Sequence, residues 1–357
     1  MKQKRDMLKE PTVNAFAGRY IASDVTRRVL AVFALLGTCN LVAWAYALML
    51  FRDRPLLLGT ALLAYGFGLR HAVDADHIAA IDNVTRKLME EGKRPVGVGL
   101  FFSLGHSTVV LLASVMVVLA IDAAHGWLAT LASWGRPIGT SISALFLFII
   151  AGSNTLLLIA TWRKLARTRL HGLECIAITS QPGLLGRFCR PLFRLIGSSW
   201  HMYPLGFLFG LGLDTATEVG ILAISAVQIS NGLPFWSVLL FPILFTAGMT
   251  LVDTADSILM LGAYGWALRD PARKLRYNLT LTMMSVCIAI CIGGVEVPQL
   301  IVGKFGLHGW FLRRVAGLND QMVLLGYMVI AFFTVCWLVA VLLHYFHARR
   351  RGHINWP

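Results

Sequence analysis

Apolar residues in this chain run in long uncharged stretches instead of alternating with polar ones. Val29 to Phe51, for example, carries no charge between Arg28 and Arg52. A helix rises about 1.5 Å per residue, so about 20 apolar residues are needed to cross the hydrocarbon core of a bilayer. By that test the sequence predicts eight transmembrane helices, near residues 29–51, 56–81, 96–121, 137–161, 203–229, 236–263, 279–302 and 322–343. The expected fold class is an all-α membrane protein. Residues 233–267 read either as one long tilted helix or as a broken one.

The chain then divides into a basic N-terminal segment over 1–28, helices 1 to 4 over 29–161, a basic loop over 162–202, helices 5 to 8 over 203–343 and a tail over 344–357. The first segment has no short apolar core followed by a small-residue cleavage site, so no cleavable signal peptide is expected. With the N-terminus inside, the two terminal segments and the loops 82–95, 162–202 and 264–278 collect 25 of the 32 Lys and Arg residues. The opposite side collects Arg52, Arg54, Arg136, Lys304, Arg313 and Arg314, and Arg70 lies within a span. This asymmetry predicts that both termini are cytoplasmic.

Composition removes the soluble alternative. The chain is 57% hydrophobic and 14% charged, against about 25% charged in soluble domains. Its net charge of +14 includes a basic stretch, Arg163, Lys164, Arg167, Arg169, Arg187, Arg190 and Arg194. Neither interleaved aromatics nor a binding-module motif accompanies it, so no nucleic-acid partner is expected. Topology and contact with anionic membrane lipid account for the charge. The cysteines Cys39, Cys175, Cys189, Cys287, Cys291 and Cys336 show no paired CxxC spacing and read as packing residues within spans.

Charge within the spans is the informative departure. Asp74, Asp76, Asp82, Asp214, Glu218, Asp253, Asp256 and Glu296 all fall in or at the ends of predicted spans. Each ionised Asp near mid-bilayer costs about 3 kcal/mol, and intramembrane acids face a bundle interior or a watery cavity on an ion or proton path. The densest group is Arg70-His71-Ala72-Val73-Asp74-Ala75-Asp76-His77. On a regular helix His71, Asp74 and His77 share a sector while Asp76 points elsewhere. Unwinding beside Gly66 and Gly68 would bring Asp76 in. Imidazole with carboxylate suits nickel, cobalt, zinc or copper. The bland alternative pairs Arg70 with Asp74 and leaves the histidines to hydrogen-bond neighbouring helices.

The third span adds His106 amid small residues. Asp214 and Glu218 in the fifth are four residues apart, and Asp253 and Asp256 in the sixth are three apart, so each pair lies on one face. Close carboxylates in a poor solvent hold either a cation or a proton between them. Glu296, between Gly293-Gly294 and Pro298, falls near the outer surface.

An internal repeat links these groups. Phe67-Gly68-Leu69 matches Phe209-Gly210-Leu211 at an offset of 142, which also aligns Asp76 with Glu218. Phe102-Ser103-Leu104-Gly105-His106-Ser107 resembles Phe245-Thr246-Ala247-Gly248-Met249-Thr250 at 143. Spans two and five are three crossings apart, so the repeat is an inverted one. Spans 2 to 4 and 5 to 7 form the halves, and the ion site is expected between them. One half supplies His71, Asp74, Asp76, His77 and His106, and the other supplies Asp214, Glu218, Asp253 and Asp256.

Four stretches, Arg70 to Ile78, Phe102 to Val110, Leu211 to Glu218 and Gly248 to Asp256, resemble the nickel/cobalt transporter family of bacterial and fungal permeases, and its high-affinity nickel permeases in particular. The family pattern of a histidine, four residues, then Asp-His falls on His71, Asp76 and His77. The resemblance implies that these three are required for transport and metal selectivity. It also implies nickel uptake for enzymes such as hydrogenase or urease, with cobalt as a second substrate. A regular helix favours Asp74 as the ligand, whereas the family pattern favours Asp76.

The expected protein is therefore a secondary transporter of Ni²⁺ in the bacterial inner membrane, with the ion as substrate and no cofactor. No G-x-x-x-x-G-K-[ST] occurs, so neither ATP hydrolysis nor an ATPase subunit is expected. An intramembrane metalloenzyme is the rival reading, but no H-E-x-x-H helix supplies ligands and a general base together. A membrane metal sensor would need an output domain, and none is recognisable.

Overall fold

The computed structural model describes residues 10–119, 196–212 and 216–267, with side chains from Asp24 onward, together with scattered helical positions between 138 and 159 and between 283 and 335. The described residues form helices and no strands. Helix α1 spans Glu10–Phe51, α2 Pro55–His71, α3 Ala75–Glu90 and α4 Val98–Leu119. A 3-10 turn at Ser199–His201 leads into α5, Met202–Gly210. It is followed by α6 Ala216–Ser230, α7 Phe235–Val238 and α8 Leu240–Ala267.

Among the described residues, three stretches, Asp24–Phe51, Val98–Leu119 and Phe235–Gly265, are long and apolar enough to cross a membrane. A fourth candidate is the pair α2 and α3, bent by 52°. Part of the eight-span expectation, including the spans near 137–161, 279–302 and 322–343, rests largely on residues outside those described.

The second span, expected over 56–81 as either a regular helix or one unwound beside Gly66 and Gly68, is broken. It opens with Pro55 at its first turn, where the missing N–H costs nothing, and stops at His71. Asp74 then takes an extended conformation (φ −64°, ψ 142°) before α3 begins. The break lies at Ala72 to Asp74, not beside Gly66 and Gly68. Its exposed amides are satisfied locally: Ala72 N donates to Gly68 O at 3.2 Å and Asp74 N to His71 O at 2.9 Å. The Asp76 carboxylate accepts the His77 N–H at 2.9 Å. An interruption inside a membrane requires such internal partners.

Helix α3 also runs to Glu90, so 82–90, read from sequence as the start of a loop, is a packed helix. Asp82, Asn83, Thr85 and Arg86 are all buried. Arg86 donates to Asn83 Oδ1 at 3.1 Å and Tyr264 OH to Asp82 Oδ1 at 3.2 Å. Charged residues lower any hydropathy average, and here pairing lets them be buried. The helix ends on Gly92, whose φ of 79° closes a left-handed cap. There Gly92 N donates to Met89 O and Lys93 N to Leu88 O, each at 2.9 Å, the paired C-terminal cap that glycine permits. Helix α6 ends in the same way on Gly232 (φ 81°), with Gly232 N bonded to Ile229 O and Leu233 N to Gln228 O.

Glycines also set the helix crossings. A Cβ at Gly68 would overlap the Phe245 carbonyl, and one at Gly206 the Phe102 carbonyl. Likewise Gly105 sits on the Tyr203 carbonyl and Gly248 on that of Tyr65. So α2 lies directly on α8, and α5 lies on α4, at the close approach that only small residues allow. Around these seats pack Ala61, Ala64, Phe241 and Leu244 on one side and Val98, Phe102, Met202 and Phe209 on the other. Cys39, Cys287 and Cys291 are exposed, so these three do not fill the core as the sequence suggested; the outer face of a membrane helix accepts apolar side chains equally well.

Gly66 has nothing within 4 Å of an added Cβ. Gly66→Ala should therefore hold or raise stability, by up to about 1 kcal/mol of helix propensity. Gly68→Ala should cost about 1–3 kcal/mol through overpacking. Thermal unfolding in detergent measures both.

Candidate metal centre

The break in the second span places its two histidines on either side of a gap. His71 ends α2 and His77 stands in the first turn of α3, while His106 projects from the middle of α4. All three are buried. Their rings form a nearly equilateral triangle, with centroids 4.7 Å apart for His71 and His77 and 4.8 Å for each other pair. One nitrogen from each lies within 4.8 Å of the others.

Glu218, in the first turn of α6, joins this triangle. Its Oε1 lies 2.9 Å from His106 Nε2 and 3.9 Å from His71 Nε2, and the two Nε2 atoms are 2.9 Å apart. Ligands about 2.0–2.1 Å from one ion lie about 2.9 Å apart at right angles and about 3.4 Å apart in a tetrahedron. The two 2.9 Å separations are those of neighbouring ligands on one first-row divalent ion, while the 3.9 Å separation is wider. Two phenylalanines wall it. Phe102 meets His77 edge-on at 4.8 Å and Phe245 lies 5.6 Å from His71. A dry wall strengthens every charge interaction inside.

The outer nitrogens of His71 and His77 also have partners. His71 Nδ1 is 3.1 Å from Thr217 Oγ1 and 3.6 Å from Asp74 Oδ2, and His77 Nδ1 is 3.3 Å from Asp253 Oδ2. Oxygen on the outer nitrogen fixes the tautomer and presents the inner one, as around bound metals generally. His77 Nε2, His106 Nδ1, Asp74 Oδ1, Asp253 Oδ1 and Asp256 Oδ2 are buried without a hydrogen-bond partner in the chain. Each such atom costs about 1–3 kcal/mol unless a ligand satisfies it.

Of the residues singled out from sequence, His71, His77, His106, Glu218 and Asp253 come together, and Asp74 adjoins them. Asp76 sits in the first turn of α3, where it accepts the His77 N–H. Asp256 lies one turn beyond Asp253 on α8. Asp214 and Glu296 fall outside the described residues. Arg70 is exposed, and Asp74 turns to His71 instead, so the Arg70–Asp74 pair of the bland reading does not form. Thr217 was not foreseen. Its repeat counterpart is Ala75, so the internal comparison carries no signal for it, and its place beside Glu218 is the one available hint.

Residues 57–343 match the NicO family, described as high-affinity nickel-transport protein. The chain is 52% identical over 89% of its length to a high-affinity nickel transport protein of Cupriavidus necator, covering 92% of that protein. It is 43% identical to the nickel transporter NicT of Mycobacterium tuberculosis, over 91% of each chain. A cobalt transport protein, NhlF of Rhodococcus rhodochrous, is 39% identical over 82% of this chain and 85% of its own. No solved structure matches.

Ligand linkage gives a direct check on the geometry. Ni²⁺ at about 100 times its dissociation constant should stabilise the purified chain by about 2.7 kcal/mol, read as a rise in unfolding temperature that a chelator reverses. His106→Ala should lose most of that rise.

Proposed function

The chain belongs to the high-affinity nickel-transport family, and from that membership we propose that it takes up Ni²⁺ across the bacterial inner membrane as a secondary transporter. The family description and the relatives above are named for transport and not as enzymes, with nickel as the transported substrate and cobalt in one of them. The chain is accordingly a nickel-transport family membrane protein with apolar helices. The observation that carries the finer reading is the meeting of three buried imidazoles, one nitrogen of each within 4.8 Å of the others, with Glu218 2.9 Å from His106.

In this reading the ion sheds water into an outward cavity and enters between His71, His77, His106 and Glu218. Asp253 and Asp74 steady two of the imidazoles from outside, and Asp76 holds the start of α3. Asp256, one turn along α8, is the next acid met on the way inward. The donor set of imidazole and carboxylate suits Ni²⁺ and Co²⁺ alike, and the relative named for cobalt transport supports Co²⁺ as a second substrate. An inside-negative potential of 100 mV favours entry of a divalent ion by about 4.6 kcal/mol. No ATPase subunit is needed for that, and membrane lipid is the chain's only other expected partner.

The alternation of access follows from two inverted halves, spans 2 to 4 and 5 to 7, within eight spans whose termini are both cytoplasmic. Three features support this. Each half has a helix broken before an acid, Asp76 or Glu218. Each closes its second segment on a left-handed glycine, and each seats its broken helix on the other half's unbroken one through a glycine. Rocking one half against the other at these seats would open the centre to either side.

Reconstituted vesicles with an imposed inside-negative potential should accumulate radioactive nickel. His71→Ala and His77→Ala should reduce uptake to background, and excess Co²⁺ should compete. Correctly inserted protein that binds nickel but never accumulates it would sink the reading.

A further inference from the structure

The turn that delivers Glu218 to the centre also delivers its neighbour Thr217, and the two approach opposite sides of one imidazole. Glu218 Oε1 stands 3.9 Å from His71 Nε2, while Thr217 Oγ1 stands 3.1 Å from His71 Nδ1. Thr217 is only 4% exposed, so bulk water cannot substitute for its hydroxyl. A neutral imidazole has one nitrogen free to bind metal and one bearing hydrogen. Which is which depends on the partner of the second. On His71 the nitrogen facing His106 and Glu218 is Nε2, so ligation there requires the proton on Nδ1. Thr217 Oγ1 is placed to accept it, and Asp74 Oδ2, at 3.6 Å, biases the same site electrostatically.

We propose that Thr217 is a positioning residue that commits His71 to the tautomer and ring angle in which Nε2 faces the ion. The hydrogen bond joins α6 to the end of α2, two elements from opposite halves of the sequence repeat. His71 therefore keeps its hydrogen-bond acceptor from α6 while those elements are together. Separation of α6 from α2 removes that acceptor as the centre opens. The inference rests on the metal-centre reading above and assigns Thr217 a role that neither its residue type nor its position in the repeat discloses.

The test uses the full chain purified in detergent, Co²⁺ as the probe, and ¹⁵N-labelled histidine. Thr217→Val keeps the volume and removes the hydroxyl, and Thr217→Ala serves if valine does not fold. The variant should bind Co²⁺ about 10–100-fold more weakly, the usual consequence of losing a ligand's outer partner. Its visible Co²⁺ spectrum should change, and the metal-free nitrogen spectrum should show a mixture of His71 tautomers in place of one. Thr217→Ser should restore both affinity and tautomer. Equal loss in the serine variant, or wild-type affinity and tautomer in the valine variant while His71→Ala loses binding, overturns the role of Thr217 and leaves the metal centre standing. Undiminished binding in His71→Ala overturns the centre itself.

Discussion

The helices are arranged around the gathering of three buried imidazoles, one nitrogen of each within 4.8 Å of the others, beside a buried carboxylate. His71 Nε2, His106 Nε2 and Glu218 Oε1 meet at 2.9 Å steps. Two positively charged imidazoles this close would repel each other, and a buried carboxylate is costly without a positive partner. A divalent cation resolves both problems at once. The same crowding explains why buried nitrogens and oxygens, His77 Nε2 and Asp253 Oδ1 among them, have no hydrogen-bond partner within the chain.

Such a centre needs rigid walls and an opened backbone, and the chain supplies each by a different device. The interruption between α2 and α3 turns two histidines six residues apart toward one point, which a continuous helix would only place on a common face. The interruption between α5 and α6 brings in Glu218 and Thr217. Glycine seats at Gly68, Gly105, Gly206 and Gly248 then let α2 and α5 lie against α8 and α4 with backbone in contact. Phe102 and Phe245, counterparts in the repeat, close the centre with apolar faces.

Much of the centre was legible in the sequence because its chemistry is out of place there. Acids and histidines in apolar stretches stand out by their cost alone, which drew attention to His71, His77, His106, Glu218 and Asp253, and the repeat offset paired Asp76 with Glu218. The position of the helix break was not legible. Gly66 and Gly68 pointed to it, yet Gly68 is a packing seat and the chain opens at Ala72-Val73-Asp74, a stretch without glycine or proline. The choice between Asp74 and Asp76 depended on that break, and the structure gives them separate places, beside His71 and in the first turn of α3. The extent of α3 was hidden because Asp82, Asn83 and Arg86 look like loop residues until their partners are known. Thr217 was hidden because a threonine in a span is ordinary.

The central claim is that one ion is held by three imidazoles and Glu218. X-ray absorption of the nickel-loaded chain tests it most directly, since imidazole rings leave a distinctive outer-shell scattering. The account predicts nitrogen and oxygen ligands only, with scattering from three imidazoles that drops by one in His106→Ala. A shell containing sulfur, or an imidazole count that does not change in that variant, would contradict it.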